Sequence, residues 1–230
     1  MEHALEEYFS LMQSNPLMFK NENAPLKIIV NPSIIVAWQK ERRAELQQKG
    51  LPIEWAEIGV VIEDPYVLLI RDLVEFPDST KNGYIRFINR ADFSGGQGVV
   101  VMACMNEKIL LLHQFRHATR SWHLEVPRGY GEPGISADKQ AANELQEEIG
   151  AQIGELTDLG TMHNNSSFEG QPVRLFFARL NSIGKPAHQE GIDRFILVTS
   201  SEFENLIRDD KITDGFTIAA YARAKLAGQI

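Results

Sequence analysis

Three carboxylates raise the first chemical question. Glu144, Glu147 and Glu148 are spaced i, i+3 and i+4, so a helix would carry them on one face. The flanks predict that helix. Ser136 suits its N-cap, Asp138 its first turn, where an acid complements the helix dipole, and Gly150 its C-terminal stop. Leu145 and Ile149, four apart, share the face that goes to the core. Like charges at this spacing cost roughly 0.2–0.5 kcal/mol per pair. A divalent cation would turn that cost into a ligand set, and oxygen-only donors favour magnesium, manganese or calcium over zinc. A solvated acidic helix face is the plain alternative for a Glu-Leu-Gln-Glu-Glu string, so the surrounding sequence has to decide.

The stretch from Gly129 to Ala151 resembles the Nudix box, G-x5-E-x7-R-E-U-x-E-E-x-G-U with U a bulky apolar residue. Gly129 matches the first glycine, and Glu144-Leu145-Gln146-Glu147-Glu148-Ile149-Gly150 matches E-U-x-E-E-x-G in register. Ile135 stands where the family has Glu and Asn143 where it has Arg, and Ala151 is a small version of the last apolar residue. The two missing residues pair with each other in the family. Their joint loss points to replacement by an uncharged contact, with Ile135 covering part of Asn143 or the Asn143 amide bonding loop carbonyls.

A second motif in the same stretch is a decoy. Gly129-Tyr130-Gly131-Glu132-Pro133-Gly134 fits G-x-G-x-x-G. Glu132 and Pro133 interrupt the turn that a dinucleotide phosphate would need, and the helix that follows carries the acids itself.

Composition narrows the classes. The 230 residues suffice for one large domain or a domain with an extension, and 43% hydrophobic residues can fill a core. A net charge of −8 argues against general binding to nucleic acid or anionic membranes. An anionic substrate would then need a local metal ion or arginine. Cys104, the single cysteine, sits in an apolar run and reads as a small buried hydrophobe. No apolar run nears a membrane span and no signal peptide opens the chain, so a cytoplasmic location is expected.

The elements that must position the acids follow from periodicity. Residues 2–13 are helical in pattern, and Ser33 is expected to cap a second helix that ends at Gly50. Strands are expected at 57–62, 66–74 and 84–89, then a hairpin of 98–105 and 108–115 around Asn106-Glu107. A short strand at 123–126 leads into the box. Strands at 156–162, 174–180 and 195–199 and helices at 201–209 and 217–227 complete the chain. The expected fold is α/β: a Nudix-type α/β/α sandwich with a mixed sheet, by resemblance. Residues 1–56 are expected to form an N-terminal helical extension and 57–230 the Nudix domain with its N-terminal strands.

Three further segments extend the resemblance to the ADP-ribose pyrophosphatase-like branch. Gln114-Phe115-Arg116 is similar to its Q-Y/F-R, and Leu124-Glu125-Val126-Pro127-Arg128-Gly129 to its L-E-x-P-A-G, with Arg128 in place of Ala. Residues 211–218 are similar to its closing G-x-I-x-D-x-x-T. The resemblance implies a metal-dependent pyrophosphohydrolase that cleaves ADP-ribose or a related nucleoside diphosphate sugar into a nucleoside monophosphate and a sugar phosphate, using Mg2+ or Mn2+. It implies Glu144 and Glu148 as metal ligands with the Arg128 carbonyl, and Glu147 as a ligand or water-orienting base. Glu148 counts among the catalytic residues with Glu147. The branch often supplies a loop acid as base; in 163–171 the only carboxylate is Glu169, out of the usual register. Arg116, Glu125 and the Arg128 side chain are expected at the substrate. The resemblance also implies a homodimer built through the strands of 57–89, with no nucleic-acid or membrane partner.

Two other functions share the fold. A catalytically weak or inactive domain could bind a nucleotide as a sensor, which Ile135 and Asn143 motivate. An isoprenoid diphosphate isomerase would need a placed acid and cysteine, and Cys104 lies in an expected core strand.

Overall fold

The computed structural model describes residues 2–230, with side chains from Ala4 onward. The chain divides into two compact units. One takes the chain up to Phe93 together with Asn165–Gly170; the other takes Ser94–Asn164 and Gln171–Ile230. The division falls at Phe93/Ser94 rather than at the expected 56/57. The strands of 59–89 group with the N-terminal helices because their apolar faces are buried against each other.

The first unit holds α1 (Glu2–Ser14), β1 (Lys27–Ile28), α2 (Pro32–Gln48), β2 (Gly59–Glu63), β3 (Val67–Glu75) and β4 (Lys81–Asn89). β3 is the centre of its sheet, with β1 and β2 on one side and β4 on the other, all antiparallel. Tyr8, Phe19, Ile35, Ile58, Leu68, Ile70, Leu73 and Ile88 form its core. At the edge of that core Tyr8 donates to Asp72. Arg86 grips the same carboxylate with Nε at 2.6 Å and Nη2 at 3.1 Å. α2 starts two residues earlier than expected. Asn31, not Ser33, is the N-cap and accepts from the Ser33 and Ile34 amides, because Pro32 suits the first helical position, where no N–H is needed.

The second unit is a sheet with helices on both faces. Its elements are β5 (Val99–Met105), β6 (Lys108–Arg116), β7 (Ser121–Glu125), β8 (Arg128–Gly129), α3 (Ala137–Ile149), β9 (Gln152–Met162), β10 (Val173–Ser182), β11 (Ile192–Val198), α4 (Ser200–Arg208) and α5 (Gly215–Leu226). The strand order is β11-β6-β5-β10-β9, mixed because β10 runs parallel to β5 while the other neighbours are antiparallel. Alternate residues go to opposite faces. Val99, Val101, Ala103, Leu110 and Leu112 meet Ala141, Leu145 and Ile149 of α3. Val100, Met102, Cys104, Ile109 and Leu111 meet Phe203 of α4 and Ala220, Tyr221 and Ala224 of α5. Cys104 is buried there, and burial pushes its thiol up to about 11, so it is a packing residue.

One irregularity positions the site. The Asn106-Glu107 turn has both φ values positive, 50° and 60°, as a primed hairpin turn requires. From there β5 and β6 pair only at Cys104/Ile109 and Met105/Lys108 and then part. β7 fills the opening against β6 and β8 against β5. The segment 121–129 is therefore a wedge between two central strands, and it brings Glu125 and Arg128 into the split. Among the described residues no helix is long and apolar enough to cross a membrane.

Candidate active site

α3 distributes its three acids unequally, and helix geometry says why. Ala141, Leu145 and Ile149 define the core direction. At about 100° per residue, Glu148 lies about 60° from it, Glu144 about 100° and Glu147 about 160°. Accordingly Glu148 is buried at 2% exposure, Glu144 is half-buried and Glu147 is exposed. The expected single face of three acids is thus a graded series. The helix keeps its predicted limits: Ser136 occupies the N-cap position without a side-chain cap bond, and Gly150 ends the helix at φ 60°.

Burial, together with the charges of Glu144 and Glu190, pushes the Glu148 carboxyl up to about 8, against the opposing influence of Arg116 and the Arg128 amide. Glu144 is raised as well, first by burial, then by Glu147, Glu190 and Glu132, with the Gln140 hydrogen bond opposing. Glu148 accepts from the Arg128 amide at 3.2 Å, and Glu144 from Gln140 Nε2 at 2.8 Å. Gly129 serves this arrangement directly: a Cβ there would overlap the Glu144 carboxylate. The remaining glycines of the decoy motif serve packing in one case and backbone conformation in the other. A Cβ on Gly131 would strike the Gln97 and Gly96 backbone, and Gly134 has φ 74°.

This donor set suits a hard divalent cation. Its oxygens are acidic and crowded, and among the described residues no side-chain cation is bonded to Glu144. Among the described residues no three His, Cys, Asp or Glu side chains converge closely enough to hold an ion as they stand. Glu144 and Glu148 are each turned onto a donor of the chain, so holding an ion requires both to re-aim.

A second cluster lies in the wedge. Glu125, 2% exposed, accepts through Oε2 from Arg116 Nε at 2.8 Å and from Arg128 Nη2 at 3.0 Å. Arg128 Nη1 also reaches Asp214 Oδ1 at 3.3 Å, and its guanidinium stacks 4.8 Å from the Phe216 ring centre. Asp214 caps α5, accepting from the Thr217 amide at 2.8 Å and the Thr217 hydroxyl at 2.7 Å. Thr217 Oγ1 in turn accepts from the Val126 amide at 3.1 Å. The three segments that carry the branch resemblance are therefore joined in one hydrogen-bonded chain, Arg116–Glu125–Arg128–Asp214–Thr217–Val126. Arg116, Glu125 and Arg128, expected at the substrate, contact one another first.

The remaining expected residues fall as follows. Glu169 belongs to the first unit, where it bridges to Phe87 and lies near Asp92, whose carboxyl burial pushes up to about 6. Asn143 is exposed and Ile135 half-buried. α3 turns position 143 outward to water. Sequence reasoning gave no role to Gln140, Glu190, Asp214 and Thr217. Gln140 and Glu144 at i, i+4, and Asp214-x-x-Thr217 at a helix start, were readable signals. Glu190 had none, since only the fold brings its charge to α3.

The chain belongs to the NUDIX domain family, whose family model matches residues 95–217. It is 28% identical over 111 residues to an ADP-ribose pyrophosphatase of Bacillus subtilis (strain 168), a match covering 48% of this chain and 60% of that protein. It is 27% identical over 128 residues to a methanol dehydrogenase activator of Bacillus methanolicus, covering 53% of this chain and 68% of that protein. The match therefore spans about three fifths of the first relative's length and about two thirds of the second's. Among solved structures, one described as an ADP compounds hydrolase superposes with a TM-score of 0.64 at 19% identity, covering 75% of this chain and 93% of that one. Family model and fold agree on a NUDIX domain, and Nudix hydrolases generally use divalent metals.

Proposed function

We propose that this protein is a divalent-metal-dependent pyrophosphohydrolase that cleaves ADP-ribose or a related nucleoside diphosphate sugar. The observation that carries this reading is Glu148: a buried carboxylate beside Glu144, with no side-chain cation bonded to either acid among the described residues. A site of that charge is stable once a divalent cation occupies it. Glu144, Glu148 and the Arg128 carbonyl would hold Mg2+ or Mn2+, with Glu147 alongside as a ligand or water-orienting base. The bound ion would supply neutralisation of the phosphoryl oxygens and acidify a water molecule.

The remaining steps belong to the chain. Water adds to one phosphorus as the bridging P–O bond breaks, giving a nucleoside monophosphate and a sugar phosphate. Glu147 is exposed on α3 and can accept the water proton. Arg116 uses Nε and Nη2 on Glu125, which leaves the Nη1 edge of its fork for a phosphate oxygen. Glu125 aims both arginines from one buried point. The proposed assembly is a homodimer through the first unit's strands, supported by exposed Val61, Ile62 and Tyr66 on and beside the edge strand β2. A lone buried cysteine suits the cytoplasm.

Incubation with ADP-ribose and Mg2+ or Mn2+ should release AMP and ribose phosphate. Glu144→Gln and Glu148→Gln should each lower kcat at least about a hundredfold, near 3 kcal/mol, with unchanged far-UV circular dichroism. The box departures Ile135 and Asn143 favour one other reading, a nucleotide sensor. Saturable binding of ADP-ribose with no turnover of any nucleoside diphosphate sugar would establish that instead.

A further inference from the structure

Gln140 sits on the acid side of α3. At about 100° per residue it lies about 140° from the core direction set by Ala141, Leu145 and Ile149, between Glu144 and Glu147. That face turns away from the sheet, yet Gln140 is 2% exposed. The chain encloses an amide where the helix alone would leave it in water. The family pattern leaves position 140 open, because it falls within the seven unspecified residues before Asn143.

The two ends of that amide are in different situations. Gln140 Nε2 donates to Glu144 Oε1 at 2.8 Å, and among the described residues no other side chain is hydrogen-bonded to this carboxylate. The same carboxylate lies over Gly129, where a Cβ would overlap both of its oxygens. The acid fixes which way the amide turns, since the opposite orientation would set oxygen against carboxylate oxygen. Gln140 Oε1 is therefore turned away from Glu144, and it has no partner among the described residues. A buried acceptor without a donor is costly.

A hydrated divalent cation answers both ends. With Glu144 Oε1 held by the amide, Oε2 is the oxygen that can re-aim onto an ion. Water on that ion supplies the O–H donor that Gln140 Oε1 lacks. Ions differ in how far they meet this need: Mg2+ gives up its water reluctantly, whereas Ca2+ takes more protein oxygens in a looser shell.

We propose that Gln140 is a positioning residue for the divalent ion, tying Glu144 by one oxygen and accepting from the ion's water shell through its own, and that it thereby biases the site towards an ion that keeps its water. The proposal rests on the metal-dependent reading above. Its first half acts on any ion that Glu144 would hold; its second half acts on Mg2+ more than on Ca2+.

Loss of the free Mn2+ electron paramagnetic resonance signal reports binding to the full chain, and Mg2+ and Ca2+ are ranked by how well each restores it. Gln140→Met keeps the length of the side chain and removes both polar atoms. It should weaken Mg2+ binding at least about tenfold, the lower end for loss of a hydrogen bond behind a ligand, and Ca2+ binding clearly less. An unchanged ratio of the two affinities overturns the proposal. Both affinities falling together would show that Gln140 acts through Glu144 or the fold alone, and neither falling would show that it has no part in the site. The ratio is internal to each variant, so Gln140→Ala reads it equally if the methionine variant does not fold. Glu148→Gln, assayed alongside, should lose most of its affinity for every ion. If it does while the Gln140 ratio stays unchanged, the metal-dependent reading stands and only the role of Gln140 falls. No binding by the parent overturns both.

Discussion

Glu125 and Glu148 are equally buried, at 2% exposure each, yet they sit in opposite electrostatic situations. Glu125 is met by two guanidiniums, and Asp214 balances the second of them. Glu148 has one backbone amide and faces the charges of Glu144 and Glu190. The first cluster is complete as the chain folds. The second is complete only with something positive added. The difference separates residues that hold a site together from residues that receive what the site works on, and burial alone does not distinguish them.

The comparison can be broken most severely at its matched end. Glu125→Ala leaves two guanidiniums without their buried partner and is expected to cost about 3 kcal/mol, the lower part of the range for a broken buried pair, because both arginines keep some contact with water. Urea unfolding measures this. A loss below about 1 kcal/mol would mean the wedge is held by backbone pairing alone.

The unmatched end should show itself through pH. A carboxyl held at about 8 in the fold and near 4 when unfolded binds more protons folded than unfolded across that interval. The contribution of Glu148 is therefore fully present below about pH 4 and is lost as pH rises towards 8. In EDTA the thermal midpoint should fall by several degrees between pH 5 and 8, and Glu148→Gln should flatten the trend. A saturating divalent ion should flatten it too. A midpoint that rises over this range would contradict the assignment of an uncompensated acid.

A smaller effect is expected at Gly129. Glu144 is only half-buried and can swing away, so Gly129→Ala should cost about 1 kcal/mol or less in stability. It should weaken Mn2+ binding by more than that, because the displaced carboxylate is a proposed ligand. Equal affinity in this variant would show that the glycine serves packing and not the acid.

The sequence was most legible where one physical rule decided one element. The Asn-Glu turn, the Gly150 stop and the continuous apolar runs of β5 and β6 all fell where turn chemistry and strand composition put them. The graded exposure of Glu144, Glu147 and Glu148 was also present in the string, since the core direction is set by Ala141, Leu145 and Ile149. What could not be read was long-range. The strands of 59–89 carry no signal for which helices cover them, and their burial against Tyr8 and Ile35 arises only in three dimensions. Arg116 and Arg128 looked like free phosphate forks because nothing local announces that one buried glutamate binds both. Glu190 lies on an exposed turn, and nothing local announces that the fold brings its charge to α3.

The smallest expected effect concerns the two box departures. Position 143 is exposed and 135 half-buried, so restoring the family pair recreates a surface ion pair, worth about 0.2–1 kcal/mol. Ile135→Glu and Asn143→Arg should couple by that amount in a double-mutant cycle of thermal stability. Coupling above about 2 kcal/mol would mean that the pair is buried.

The wedge between β5 and β6 also bears on the order of events in folding. The Val126 amide meets the Thr217 hydroxyl across 91 residues of chain, and β8 needs β5 already in place. Contacts of such separation close slowly, after local hairpins and helices have formed. The Glu125 cluster should therefore be absent from the transition state. Thr217→Ala is expected to speed unfolding while leaving the refolding rate nearly unchanged, a φ-value near zero in a chevron measurement. The groups that define the chemistry would then be the last to assemble and the first to part, while the β5–β6 hairpin beneath them persists.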